Sequence, residues 1–323
     1  MRKEDLRIVF MGTPEFAVET LKALVENDYN VVAVVTQPDK PVGRHQTEMQ
    51  PSQVKQYAVA HGLPVLQPEK MKDPEFVEQL RSYNANLQVV VAFRMLPEVV
   101  WAMPEYGTFN VHAALLPQYR GAAPINWAVI NGETQTGVTT FFLDHDIDTG
   151  RIILKKTFDI PDEADVEYVY DGLMHLGAEI CLETLEAIIA ANGHPDSIPQ
   201  DSVLDGSAIK PAPKIFKETC EIDWQKTAKQ VYDFVRGLSP YPGAWTTLVA
   251  PDGKETVLKI YKTRKTGKPG KGIGTITIEG KALCVSAADE QLEIVELQLA
   301  GKKRMMARDF LNGMKQIEDY RVK

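Results

Sequence analysis

Asn110 and His112 stand two residues apart in Thr108-Phe109-Asn110-Val111-His112. On a strand, residues at that spacing share a face, and the Leu115-Leu116-Pro117 that follows forces the chain out of regular structure. An amide and an imidazole side by side suit chemistry at a carbonyl. Asn110 cannot titrate, so it serves as a fixed hydrogen-bond donor to a developing oxyanion. His112 can donate, accept or carry charge near neutral pH. Asp148, in Asp148-Thr149-Gly150, could hold the imidazole in one protonation state or relay a proton through water. No serine or cysteine stands in a nucleophile-elbow context, so the attacking group must come from a second substrate. Each residue also has a plainer reading: a strand-end histidine as a structural hydrogen-bonding group, an aspartate before Thr-Gly as a turn former. Asp144, His145 and Asp146 alternate along the chain with no second cluster to match them, so no metal site is expected.

Open α/β sheets hold their ligands at the carboxyl ends of the strands, and the first half of the chain reads as such a sheet. β-branched runs at 7–10, 30–35, 63–66 and 89–93 alternate with helical patterns at 14–27, 51–61 and 74–83. Runs that are apolar on both faces and joined by helices predict a doubly wound, mainly parallel sheet. A helix near 123–130, a hairpin of 137–142 with 151–154, and a long helix carrying Val166, Val169, Leu173, Leu176 and Ile180 on one stripe complete this half. The turn Met11-Gly12-Thr13-Pro14 lacks G-x-G-x-x-G, which argues against a dinucleotide. The loop from Thr36 to Pro51 is long for such a connection, a length that suits a binding element.

The stretch 192–208 is rich in Gly, Pro, Ser and Asp without periodicity and reads as a linker, separating an α/β domain over 1–191 from a second domain over 209–323. That second domain opens with a helix at 224–238. Five short strands follow at 244–249, 256–261, 274–278, 282–286 and 292–297, a pattern that suits a small β-barrel of the oligonucleotide-binding kind. The turn 262–271 is the most basic segment. The net charge of −8 is sorted along the chain: residues 1–208 hold 15 Lys+Arg against 30 Asp+Glu, and residues 209–323 hold 21 against 14. A polyanion would be drawn to the second half, and nucleic acid is the obvious one. The three cysteines lie far apart and read as buried free thiols. No apolar run approaches the roughly 18 residues of a membrane span, and the N-terminal residues lead straight into a strand, so a cytoplasmic protein is expected.

Six segments together resemble the 10-formyltetrahydrofolate-dependent formyltransferases, specifically the branch that formylates methionyl initiator tRNA. They are the run from Phe10 to Val18, Thr36-Gln37-Pro38-Asp39 with Pro41 and Gly43-Arg44, Asn110-Val111-His112, Leu115 to Pro124, Asp148-Thr149-Gly150, and Arg236 to Trp245. The third, fourth and fifth are shared by all users of this formyl donor, whereas the others and the barrel mark the tRNA acceptor. The resemblance implies a Rossmann-like formyltransferase fold with an OB-like barrel behind it. It implies that Asn110, His112 and Asp148 are catalytic, with the methionyl α-amine attacking the formyl carbon on N10. Ala114, Leu115, Leu116 and Pro117 would contact the folate, alanine standing where the family has serine. Arg44 fits the arginine that reaches the acceptor end of tRNA, with Lys40 beside it. His45-Gln46-Thr47-Glu48-Met49-Gln50 stands where the family often has extra lysines. More phosphate binding should therefore fall on the second domain, including Lys210, Lys214, Arg264, Lys265 and Lys268. A monomer working on two substrates, without metal or membrane, is expected. The rival reading is formyl transfer from the same donor to a small amino-sugar nucleotide, which predicts a second domain without net positive charge.

Overall fold

The structure, a computed structural model, describes residues 1–42, 48–314 and 316–323. Its contacts divide the chain into two units. The first comprises Met1–Gly121, Thr136–Phe158 and Tyr170–Pro211; the second comprises Ala122–Gln135, Asp159–Val169 and Ala212–Lys323.

The first unit is built on a seven-stranded sheet of β1 (Ile8–Gly12), β2 (Val31–Val35), β3 (Val65–Leu66), β4 (Leu87–Val91), β5 (Thr108–His112), β6 (Gln135–Phe142) and β7 (Ile152–Asp159), in the order β7-β6-β5-β4-β1-β2-β3. The pairs β1–β2, β1–β4, β2–β3 and β4–β5 are parallel, and β6 runs antiparallel to β5. Every residue of β1 and β4 is buried, because these central strands are covered on both faces, as their largely apolar runs require; the one polar member, Gln88, accepts from Thr108 Oγ1 at 2.9 Å. The chain winds outward from β1 to β3 and returns to the other side at β4, so the sheet is doubly wound. The crossover helices Glu15–Glu26, Gln53–Ala60 and Pro74–Ser82 fall close to their expected places. Asp73 caps the last of these through Glu75 N–H, with Pro74 at its first position. The loop after Thr36 carries two short antiparallel strands, Lys40–Val42 and Glu48–Gln50. Its base is fixed by Asp39, which accepts from Lys55 Nζ at 2.7 Å and from Gln67 Nε2 at 2.7 Å.

The second unit carries β8 (Ala244–Val249), β9 (Glu255–Pro269), β10 (Ile276–Glu279), β11 (Ala282–Ser286), β12 (Glu290–Leu299), β13 (Met305–Met306) and β14 (Arg321–Val322), in the order β10-β11-β12-β9-β8-β14, with β13 on β12. A bridge between Thr275 and Arg321 joins the two edges of this sheet, so it closes on itself as a barrel. The basic stretch expected as the turn 262–271 is mostly strand. β9 runs to Pro269, bending at register shifts after Ile260, Lys262 and Lys265, because pairing with β12 outweighs the turn signal of its Gly and Lys residues. The helix expected at 224–238 starts at Ala228, with Thr227 and Gln230 forming a capping box. Trp224 instead enters the core and donates to Thr246 Oγ1 at 2.9 Å. Gly237 lets this helix meet the helix Pro124–Ile130: a Cβ there would lie 2.6 Å from Ile130 Cγ1 and 2.8 Å from its backbone nitrogen. Asn126 Nδ2 caps the contact by donating to Gly237 O at 2.9 Å.

Candidate functional site

β5 carries Asn110 and His112 out to the carboxyl end of the parallel sheet, between β4 and the antiparallel β6. His112 is buried at the strand's last position. Its Nε2 lies 2.9 Å from Tyr119 O. A carbonyl only accepts, so Nε2 carries a hydrogen and Nδ1 is the nitrogen left for chemistry. Nδ1 faces Asp148 Oδ2 at 3.8 Å, with the two side chains only 7% and 12% exposed. That separation exceeds a direct hydrogen bond. Asp148 Oδ2 also accepts from Gly121 N–H at 2.9 Å. Asn110 Oδ1 is buried with no hydrogen-bond partner among the described residues, an unusual state for a buried amide.

Two turns hold this set. Tyr119 has φ 60 and Asp148 has φ 56, both in the left-handed region that non-glycine residues rarely adopt. Gly150 ends the second turn because a Cβ there would sit 1.6 Å from Phe142 O. The expected folate residues lie beside the histidine, but their groups are largely occupied within the chain. Ala114 and Leu116 are fully buried. Thr139 Oγ1 donates to Ala114 O at 2.6 Å and accepts from Leu116 N–H at 3.1 Å. Lys155 Nζ donates to Leu116 O at 2.7 Å, and burial pushes the Lys155 pKa down. Leu115 is the half-buried member, and Pro117 is buried.

The expected tRNA-binding cations are placed as follows. Arg44 lies outside the described residues, and Lys40 is exposed on its short strand. Lys210 donates its N–H to Gln118 Oε1 at 2.8 Å, and its carbonyl accepts from Tyr119 N–H at 2.7 Å. Lys214 Nζ lies 5.5 Å from the Phe216 ring centre. Arg264, Lys265 and Lys268 share β9, and each meets a carboxylate: Glu293 at 2.8 Å, Asp162 at 2.5 Å, and Glu279. Sequence reasoning gave no role to Tyr119, Thr139, Lys155 or Gln200. Tyr119 lay inside a motif and so had a signal; the others show only once the chain is folded. Among the described residues no three His, Cys, Asp or Glu side chains converge as a metal would need, and no helix is long and apolar enough to cross a membrane.

The doubly wound α/β unit and the barrel lie in one chain, and this chain belongs to the formyl transferase family. Residues 6–185 match the formyl transferase family and residues 214–315 its C-terminal domain. The chain is 60% identical to a methionyl-tRNA formyltransferase of Parabacteroides distasonis, with 100% of each chain covered. Two solved structures share the fold. HypX from Aquifex aeolicus in complex with tetrahydrofolic acid matches with a TM-score of 0.62 and 19% identity, over 96% of this chain and 48% of that one, so the present chain spans about half of HypX. WlaRD, a sugar 3N-formyl transferase crystallised with dTDP and 5-N-formyl-THF, matches with a TM-score of 0.63 and 17% identity, over 92% and 99% of the two chains.

Proposed function

We propose that this chain transfers the formyl group of 10-formyltetrahydrofolate to the α-amino group of methionine carried by initiator tRNA. The observation that carries this reading is the 60% identity, covering 100% of both chains, to a relative named for that activity. The sugar-acceptor alternative has only the fold-level likeness at 17% identity, and the excess of cations in residues 209–323 speaks against it.

The site chemistry fits a formyl donor and an amine acceptor. Asn110 has an open, buried acceptor in Oδ1, which suits an amine N–H, while its Nδ2 hydrogens suit the formyl oxygen. His112 is held through Nε2, so a proton on Nδ1 is the one it offers to the oxygen that turns negative as the amine adds to the formyl carbon. Asp148 Oδ2 lies 3.8 Å from that nitrogen, beside the reacting groups. The new bond joins the amine nitrogen to the formyl carbon, and the bond to N10 breaks. The proton lost by the amine reaches N10 by way of the Asp148 carboxylate. Ala114, Leu115, Leu116 and Pro117 shape the folate side of the site, with Leu115 giving apolar contact and the other three holding the loop.

The acceptor's phosphates are read by Lys40, Arg44 and Lys210 from the first unit and by Lys214, Arg264, Lys265 and Lys268 from the second. We take 1–191 as the folate-binding domain, 192–208 as the connection and 209–323 as the tRNA-binding domain. The chain works as a monomer in the cytoplasm, where charged initiator tRNA is used. Transfer of radiolabelled formyl from 10-formyltetrahydrofolate to methionyl initiator tRNA, with uncharged tRNA and free methionine as controls, tests the reading. Label confined to the charged tRNA supports it; no label on the charged tRNA, with label appearing on an amino-sugar nucleotide supplied in a parallel reaction, overturns it.

A further inference from the structure

Gln200 lies in a stretch whose composition suggests only a connection, yet its side chain is 3% exposed. Both Nε2 hydrogens are used: one donates to Asp148 O at 2.7 Å and the other to Gly150 O at 2.8 Å. Oε1 accepts twice from Arg120, from Nε at 3.0 Å and from Nη2 at 2.7 Å. One buried amide therefore has its hydrogen-bonding capacity filled by the two turns that flank the site. Arg120 sits between Tyr119, whose carbonyl takes His112 Nε2, and Gly121, whose N–H holds Asp148 Oδ2.

We propose that Gln200 is a positioning residue for formyl transfer, fixing the separation of His112 Nδ1 and Asp148 Oδ2 by clamping the Tyr119–Gly121 and Asp148–Gly150 turns together. It touches neither substrate and acts through both turns. Asp148 has φ 56, in the left-handed region, and the bonds from Gln200 to Asp148 O and Gly150 O hold its turn there. The proposal rests on the functional reading above, because the spacing of this pair matters only if they serve one reaction.

The test is steady-state formyl transfer by Gln200→Leu and Gln200→Glu, each checked for folding by thermal melt and circular dichroism. Wild-type activity on methionyl-tRNA tests the functional reading, and the ratio of variant to wild type tests Gln200. Gln200→Leu removes every bond and should lower kcat roughly 10- to 100-fold, with KM for tRNA and for the folate within about twofold. Gln200→Glu keeps the volume and the acceptor for Arg120 but, when ionised, loses both donors to the carbonyls. It should match Gln200→Leu at pH 7.5 and regain activity relative to wild type as the assay is acidified, since a protonated carboxyl restores one donor. A residue that only filled space would leave the pH profile unmoved. A folded Gln200→Leu with wild-type kcat overturns the proposal. Should Gln200→Leu not fold, a Gln200→Glu enzyme with wild-type kcat at pH 7.5 overturns it equally.

Discussion

The donor hydrogen on His112 Nε2 is committed to Tyr119 O, so one nitrogen is left for both stabilising charge and passing a proton. Replacing His112 with alanine should therefore cut kcat by about 100-fold or more, while tRNA affinity measured by filter binding stays near wild type. Loss of tRNA binding in that variant would contradict the role given to the ring. Thr139 is a different kind of residue. It is fully buried and serves two backbone groups of the loop after β5. Thr139→Val leaves Ala114 O and Leu116 N–H without that partner, which should cost about 1–3 kcal/mol, read as a lower urea midpoint.

At the level of elements, close approach decides what can be substituted. A methyl at Gly150 would overlap Phe142 O, where the second site turn meets the end of β6. Gly150→Ala should lower the melting temperature and, by shifting the Asp148 turn, lower kcat as well; a stable, fully active variant would show that the turn can move freely. In the barrel, the hydrogen bond from Lys265 holds the Asp162 carboxyl below the ordinary aspartate range. A depressed folded pKa means the pair adds stability in full above pH about 4 and loses it as the pH falls through the lower folded value. The melting temperatures of wild type and Lys265→Ala should therefore differ near pH 6 and draw together as the pH falls below about 4. Both groups are half-exposed, so that difference should be small and shrink in high salt.

For the whole molecule, the tRNA reading depends on cations that already meet carboxylates on or beside β9. Phosphates must displace Asp162 or Glu279 to be bound there, so Lys265→Ala should weaken tRNA binding and reduce the slope of log affinity against log salt by about 1 or less. An unchanged slope would remove Lys265 from the interface. Much of this was legible in the chain. Apolar runs on both faces announced the buried strands β1 and β4, and the two-residue spacing of Asn110 and His112 set them on one face, because side-chain direction on a strand follows local geometry alone. Pairing was not legible. The basic stretch at 262–271 carries turn residues, and only its register with β12 makes it strand. Closure of the barrel through Thr275 and Arg321 joins residues with no sequence signal between them. The amino-acid order alone thus determined the doubly wound sheet, the charge division and the chemical set of amide, imidazole and carboxylate. Tertiary structure alone decided which imidazole nitrogen is free, which cations are paired, and that Gln200 reaches two turns. Each of these depends on a hydrogen bond or ion pair between residues distant in the chain, and such a partner leaves no periodic trace.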